Sequence, residues 1–147
     1  MSSSHHIAQR VGAISSTLGS VMRFMFDNPR NSLSIINQFN DAFNDHDIDR
    51  LMALMTDDCI FENTYPPPDG ARHEGQAAVR AAFAAIFHNS PRLRLHYEEV
   101  AAFEERGIVR WVYHWDNGSE DKGHIRGVDI FRLRDGKIAE KLSYVKG

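Results

Sequence analysis

Asp129 stands where an apolar side chain is expected. It falls between Ile125 and Phe131, on the strand parity that carries the large apolar residues. A carboxylate on that face must be paired or take up a proton, because burial penalises its charged form. Lys141 belongs to the next alternating segment. Counting outward from the Asp135-Gly136 turn puts it near the level of Asp129. Periodicity leaves two arrangements open: Lys141 and Ser143 share the inward face and Lys141 pairs with Asp129, or the strand faces the other way and Lys141 meets solvent. Asn63 shares a face with Cys59 and Phe61. It either looks inward or ends its strand and ties down the proline loop that follows. An inward acid, amine and carboxamide would suit acid–base chemistry at a carbonyl group: one to move a proton, one to stabilise an enolate, one to orient the oxygen.

Other chemistries lack their residues. There is no glycine-rich phosphate loop and no dinucleotide fingerprint. There is no Cys-x-x-Cys and no His-Glu-x-x-His, so no metal site is expected, and no cofactor. His73, His88, His96, His114 and His124 have no ligand spacing and read as surface or paired histidines. Cys59, beside Phe61 on a strand, reads as a small core residue. Trp111, Tyr113 and Trp115 form an aromatic stripe that suits core or pocket wall, since each has a polar atom that needs a partner when buried. With Phe39, Phe61 and Phe131 they could line a site for a flat, mostly apolar molecule, with Tyr65 at its rim.

The elements that must position these residues follow from the pattern. Ile7, Val11, Ile14, Leu18, Val21 and Met25 recur at steps of four and three, an apolar stripe on one helix face. That helix should end near Asp27-Asn28-Pro29. It is expected either to pack on its own domain or to serve as a lid or dimer clamp. Ser32 is expected to cap a second helix with Ile35, Ile36, Phe39 and Phe43 on its inner side, and Asp47 a short third one. A strand is expected over residues 58–64, a turn at Asp69-Gly70, and a fourth helix over residues 76–88. Four alternating segments follow, around Leu95, Trp111, Asp129 and Lys141, the last two joined as a tight hairpin. Helices first and a meander afterwards predict an α+β layout, with helices covering the concave face of a curved antiparallel sheet. The expected division is a helical extension over residues 1–31 and a domain over residues 32–147.

The bulk properties agree. A chain of 147 residues fits one core without disulfides. A net charge of −3 argues against nucleic acid, which requires a basic face. No apolar run is long enough to span a bilayer, and no secretory signal is evident. The single cysteine makes a reducing, cytoplasmic setting the simplest expectation.

From about residue 34 onward the sequence resembles the NTF2-like superfamily, and within it the SnoaL-like and ketosteroid-isomerase-like proteins. The residues that carry this are Phe39-Asn40-Asp41-Ala42-Phe43 with His46-Asp47, then Met55-Thr56-Asp57-Asp58-Cys59-Ile60-Phe61-Glu62-Asn63, and Glu74-Gly75-Gln76-Ala77-Ala78-Val79-Arg80. Gly127-Val128-Asp129-Ile130-Phe131-Arg132 and Asp135-Gly136-Lys137-Ile138-Ala139-Glu140 complete it. The resemblance implies a cone-shaped α+β barrel enclosing a pocket, with Lys141 on the pocket side. It also implies a homodimer formed through the outer sheet face, which carries Val112, Val128 and Ile130. Asp129 matches the protonated aspartic acid that such isomerases place in an oxyanion hole. Their general base falls at Asn63 and their oxyanion tyrosine at Phe39, neither of which can do that work. Similarity to limonene-epoxide-hydrolase-like proteins matches Asn63 but puts Ser143, Tyr113 and Trp115 where their other catalytic groups stand. The resemblance thus implies a small-molecule pocket with Asp129, Lys141 and Asn63 as its polar set. The activity would be that of an isomerase, cyclase or hydratase, or the protein would be a non-catalytic binder or interaction module.

Overall fold

The computed structural model describes residues 31–146. The apolar stripe of residues 7–25, and all of the expected extension but Asn31, lie outside the described residues. The chain runs α1 (Ser32–Asn44), α2 (Ile48–Ala53), β1 (Met55–Glu62), β2 (Arg72–Glu74), α3 (Gln76–Asn89), β3 (Leu95–Phe103), β4 (Arg106–Asp116), β5 (Lys122–Arg134) and β6 (Lys137–Val145).

The cap of helix α1 lies one residue earlier than expected. Asn31 is the N-cap, its side-chain oxygen accepting the Ser34 N–H at 2.7 Å. Ser32 is already helical, and its hydroxyl donates to the Glu104 carbonyl on the β3–β4 turn. Asp47 caps α2 by accepting the Arg50 N–H. The inner sides of α1 and α3 bury Ile35, Ile36, Phe39, Phe43, Val79, Phe83 and Phe87 against the sheet. Asn44 fastens α1 to β3 with bonds in both directions to the Leu95 backbone, each of 2.9 Å.

The six strands are ordered β2-β1-β6-β5-β4-β3. The sheet is curved but open, with β2 and β3 at its edges, so the expected barrel does not close. Nor is it wholly antiparallel, because β1 pairs with β6 in parallel while the other neighbours are antiparallel. The hairpin at Asp135-Gly136 has φ of 52° and 75°, the two positive values of a type I′ turn. Beyond it, Leu133 pairs with Ile138 but Arg132 pairs with Glu140, so Ala139 is an extra residue on β6. Such a bulge shifts the alternation by one place. Ile138 therefore joins the core while Lys141, three residues on, also faces the helices.

Candidate functional site

Between the helices and the inner sheet face lies a cavity of about 210 Å³, bordered by Phe61, Asn63, Trp111, Tyr113, Asp129, Lys141 and Ser143 among others. Drug-sized sites run to roughly 300–1,000 Å³, so this one suits a ring-sized occupant. Its wall is mostly apolar, with Phe43 and Ile86 from the helices, Leu93 from the loop before β3, and Leu95 and Ile125 from the strands.

The polar end is a closed triangle. Lys141 Nζ lies 3.1 Å from Asp129 Oδ2, with side chains only 7% and 3% exposed. It also donates to Ser143 Oγ at 2.7 Å, and Ser143 Oγ donates to Asp129 Oδ1 at 2.7 Å. The proton directions are forced. An ammonium has donors only, so the hydroxyl accepts from Lys141 and turns its own hydrogen to the carboxylate. The backbone sets this up: Asp129 faces Ser143 across the β5–β6 ladder, and Lys141 faces Phe131 on one side and Phe61 on the other. The ammonium stands 4.9 Å from the centre of the Phe61 ring, a favourable site for a cation. Of the two arrangements that periodicity left open for Lys141, the inward one is observed.

Asn63 follows directly on β1 and ties down the loop, the second of its two expected readings. Its backbone N–H closes the loop onto the Ala71 carbonyl at 2.9 Å, and its side-chain oxygen accepts the Thr64 N–H at 2.8 Å. That bond uses one of the oxygen's two lone pairs, and Asn63 also borders the cavity.

Trp111 lies flat across β5. A Cβ built on Gly127, its cross-strand partner, would stand 2.2 Å from the indole Cζ2, so only glycine fits beneath the ring. Its indole N–H is buried without a partner. The remaining aromatic residues are placed elsewhere. Phe39 and Phe131 are packed edge to face at 5.7 Å in the core and do not border the cavity. Trp115 leans over Gly123, donates to Asp121 and does not border the cavity. Tyr65 is 73% exposed on the proline loop, also off the cavity wall.

Two polar residues belong to this interior that the strand pattern did not single out. Tyr97, on the inner face of β3, donates its hydroxyl to the Asn40 carbonyl at 3.1 Å. Burial, and then the charge of Asp129, push its ionisation far above the usual phenol range. Asn40 is buried on α1 with its amide nitrogen unpartnered. The signal for Asn40 was present, since it sits four residues after Ile36 and three before Phe43 on the apolar stripe. Cys59 is fully buried, and desolvation pushes its thiol up, away from the reactive thiolate. Among the described residues, no three His, Cys, Asp or Glu side chains are grouped to hold a metal ion, and no helix is long and apolar enough to cross a membrane.

Residues 36–141 match the family description of the SnoaL-like domain. An NTF2-like protein of unknown function from Mesorhizobium loti is 41% identical, covering 77% of this chain and 88% of its own, with a TM-score of 0.66. A putative polyketide cyclase from Sinorhizobium meliloti is 22% identical over 75% of this chain and 93% of its own, with a TM-score of 0.60. A protein from Catenulispora acidiphila with a ketosteroid-isomerase-like fold, solved in complex with trimethylamine, is 14% identical over 75% of this chain and 83% of its own, with a TM-score of 0.64. No curated protein matches the chain.

Proposed function

The chain belongs to the SnoaL-like domain family, and on that premise we propose that it takes a small, mostly apolar, carbonyl-bearing compound into its cavity and acts on it by acid–base chemistry without a cofactor. The observation that supports this is the buried Lys141–Ser143–Asp129 triangle at the end of an otherwise apolar cavity. A carboxylate and an ammonium kept together away from water form a proton acceptor and a ready counter-charge for an enolate. In this reading Asp129 exchanges the proton, Lys141 stabilises the anion and Asn63 orients the carbonyl. The reaction class is isomerisation, cyclisation, or addition or removal of water.

A second reading, a binder that does no chemistry, is supported by the same triangle in another respect: each of its charges already has a partner. The two readings share an occupant and differ in turnover. Titration with a panel of two-ring ketones, followed through Trp111 fluorescence and two-dimensional NMR, is expected to give saturable binding with shifts confined to residues bordering the cavity. Binding with chemical conversion supports the enzyme, and binding without conversion supports the binder. No binding by any member of the panel, with the cavity filled by its own side chains in a crystal structure, would sink both.

The same proposal includes a cytoplasmic homodimer. The outer sheet face carries Val128 and Ile130 with Ile108 and Tyr144, the last two 48% and 50% exposed. An apolar strip of this kind on a sheet suits association with a second copy.

A further inference from the structure

Resting on the acid–base reading above, we propose that Ser143 is the catalytic residue that takes the proton from the substrate, and that Asp129 receives it only through the Ser143 hydroxyl.

Asp129 is poorly placed to act directly. Its side chain is 3% exposed, and Lys141 and Ser143 stand against its two oxygens, so a substrate C–H has little room to reach them. All three members of the triangle border the cavity, and Ser143 is the more open one: Asp129 and Lys141 are buried, whereas Ser143 is only partly so. Its hydroxyl accepts from Lys141 and donates to Asp129, which leaves an oxygen lone pair uncommitted. The hydrogen already points at the carboxylate over 2.7 Å, the geometry of a proton about to be passed on.

The step balances. A C–H bond next to the substrate carbonyl breaks, and its electron pair stays behind as an enolate. The proton bonds to Ser143 Oγ as the serine's own proton moves to Asp129 Oδ1, so the hydroxyl is regenerated and the carboxylate becomes a neutral acid. Lys141 loses its counter-charge at that moment and gains one on the enolate oxygen, which its third N–H can meet. Reversal returns the proton to the same carbon or to another carbon of the enolate, and no further reactant is required. Charge is conserved beside a buried ion pair, where an unpaired ion would be costly.

The test uses 2-indanone, a flat two-ring ketone with acidic protons beside its carbonyl, in deuterated water. NMR reads both its binding and the exchange of those protons. The wild-type protein is expected to bind it and to accelerate exchange. Ser143→Ala is expected to bind it comparably and to exchange it about 100-fold more slowly. Ser143→Thr keeps the hydroxyl and is expected to retain most of the rate. Ser143→Val, the shape of threonine without its hydroxyl, is expected to lose it, and serves if the alanine variant does not fold. Wild-type exchange in a folded Ala or Val variant would overturn the relay, as would loss of exchange in a threonine variant that still binds. Binding without exchange by the wild-type protein would also overturn the relay and leave the pocket as a binder. Absence of binding would overturn the pocket reading itself.

Discussion

Lys141 and Asp129 leave water together, and neither could do so alone. Transfer of one ion to a protein interior costs several kcal/mol, whereas a pair with satisfied hydrogen bonds roughly recovers that cost. Ser143 completes the satisfaction here, bonding both partners. Removing the ammonium alone strands a carboxylate among Phe61, Trp111 and Ile125, all on the same wall. Lys141→Met is therefore expected to destabilise the protein by about 3–5 kcal/mol. Asp129→Asn combined with Lys141→Met should be less damaging than Lys141→Met alone. Denaturant unfolding of the two single variants and the double variant closes the cycle. Near-zero coupling would mean that the pair does not hold in solution. The sequence flagged Asp129 because a charged residue broke an apolar parity. It left Lys141 open between the inward and the outward face, because Ala139 is added to β6 and shifts the alternation between Ile138 and Lys141.

At the scale of elements, the site depends on how β4 and β5 meet. Trp111 covers Gly127 on the neighbouring strand, and this contact holds the indole flat against the sheet and keeps the cavity open above it. Gly127→Ala would drive a methyl group into the ring. Overpacking of this kind typically costs about 1–3 kcal/mol, and the ring can relieve it only by swinging into the cavity. The expected outcome is a lower melting temperature, altered tryptophan fluorescence and loss of the ketone binding tested above. A variant that melts and binds like the wild-type protein would show that the indole is not held by this contact. Helix starts were easier to read, because a cap is a local event. Asp47 was legible in full, and the cap on α1 was misplaced by one residue because Asn31 and Ser32 are both good cap formers side by side.

At the scale of the whole molecule, the outer sheet face bearing Ile108, Val128 and Tyr144 presents an apolar strip. The sequence also carries the apolar stripe from Ile7 to Met25, which lies outside the described residues. Each large side chain buried on such a surface contributes about 1.5–3 kcal/mol. Removing residues 1–30 is thus expected to lower the melting temperature or change the oligomer. Sedimentation of the full chain at micromolar concentration is expected to give a dimer, and Ile108→Glu to weaken it. A monomeric full chain would exclude association through the sheet face. A truncated protein that melts and sediments like the full one would make the N-terminal stripe an appendage.

The amino-acid order determined by itself what is local or periodic. The helices follow from stripes at steps of three and four, the strands from alternation, and the final hairpin from Asp135-Gly136, whose residues tolerate positive φ. The inward position of Asp129 was legible for the same reason. Tertiary structure decided whatever depends on which segments meet. The parallel pairing of β6 with β1 brings Phe61 beside Lys141, although these residues are far apart in the chain. The bulge at Ala139 turns Lys141 inward, and the cross-strand match of Asp129 with Ser143 closes the triangle. Contacts between distant segments also decided which aromatic residues border the cavity: Trp111 and Tyr113 do, while Trp115, on the same strand face, bonds Asp121 instead. Alternation states which side of a strand a residue takes. It carries no information on what stands opposite, because strand register and the reach of the helices are set by packing between distant segments.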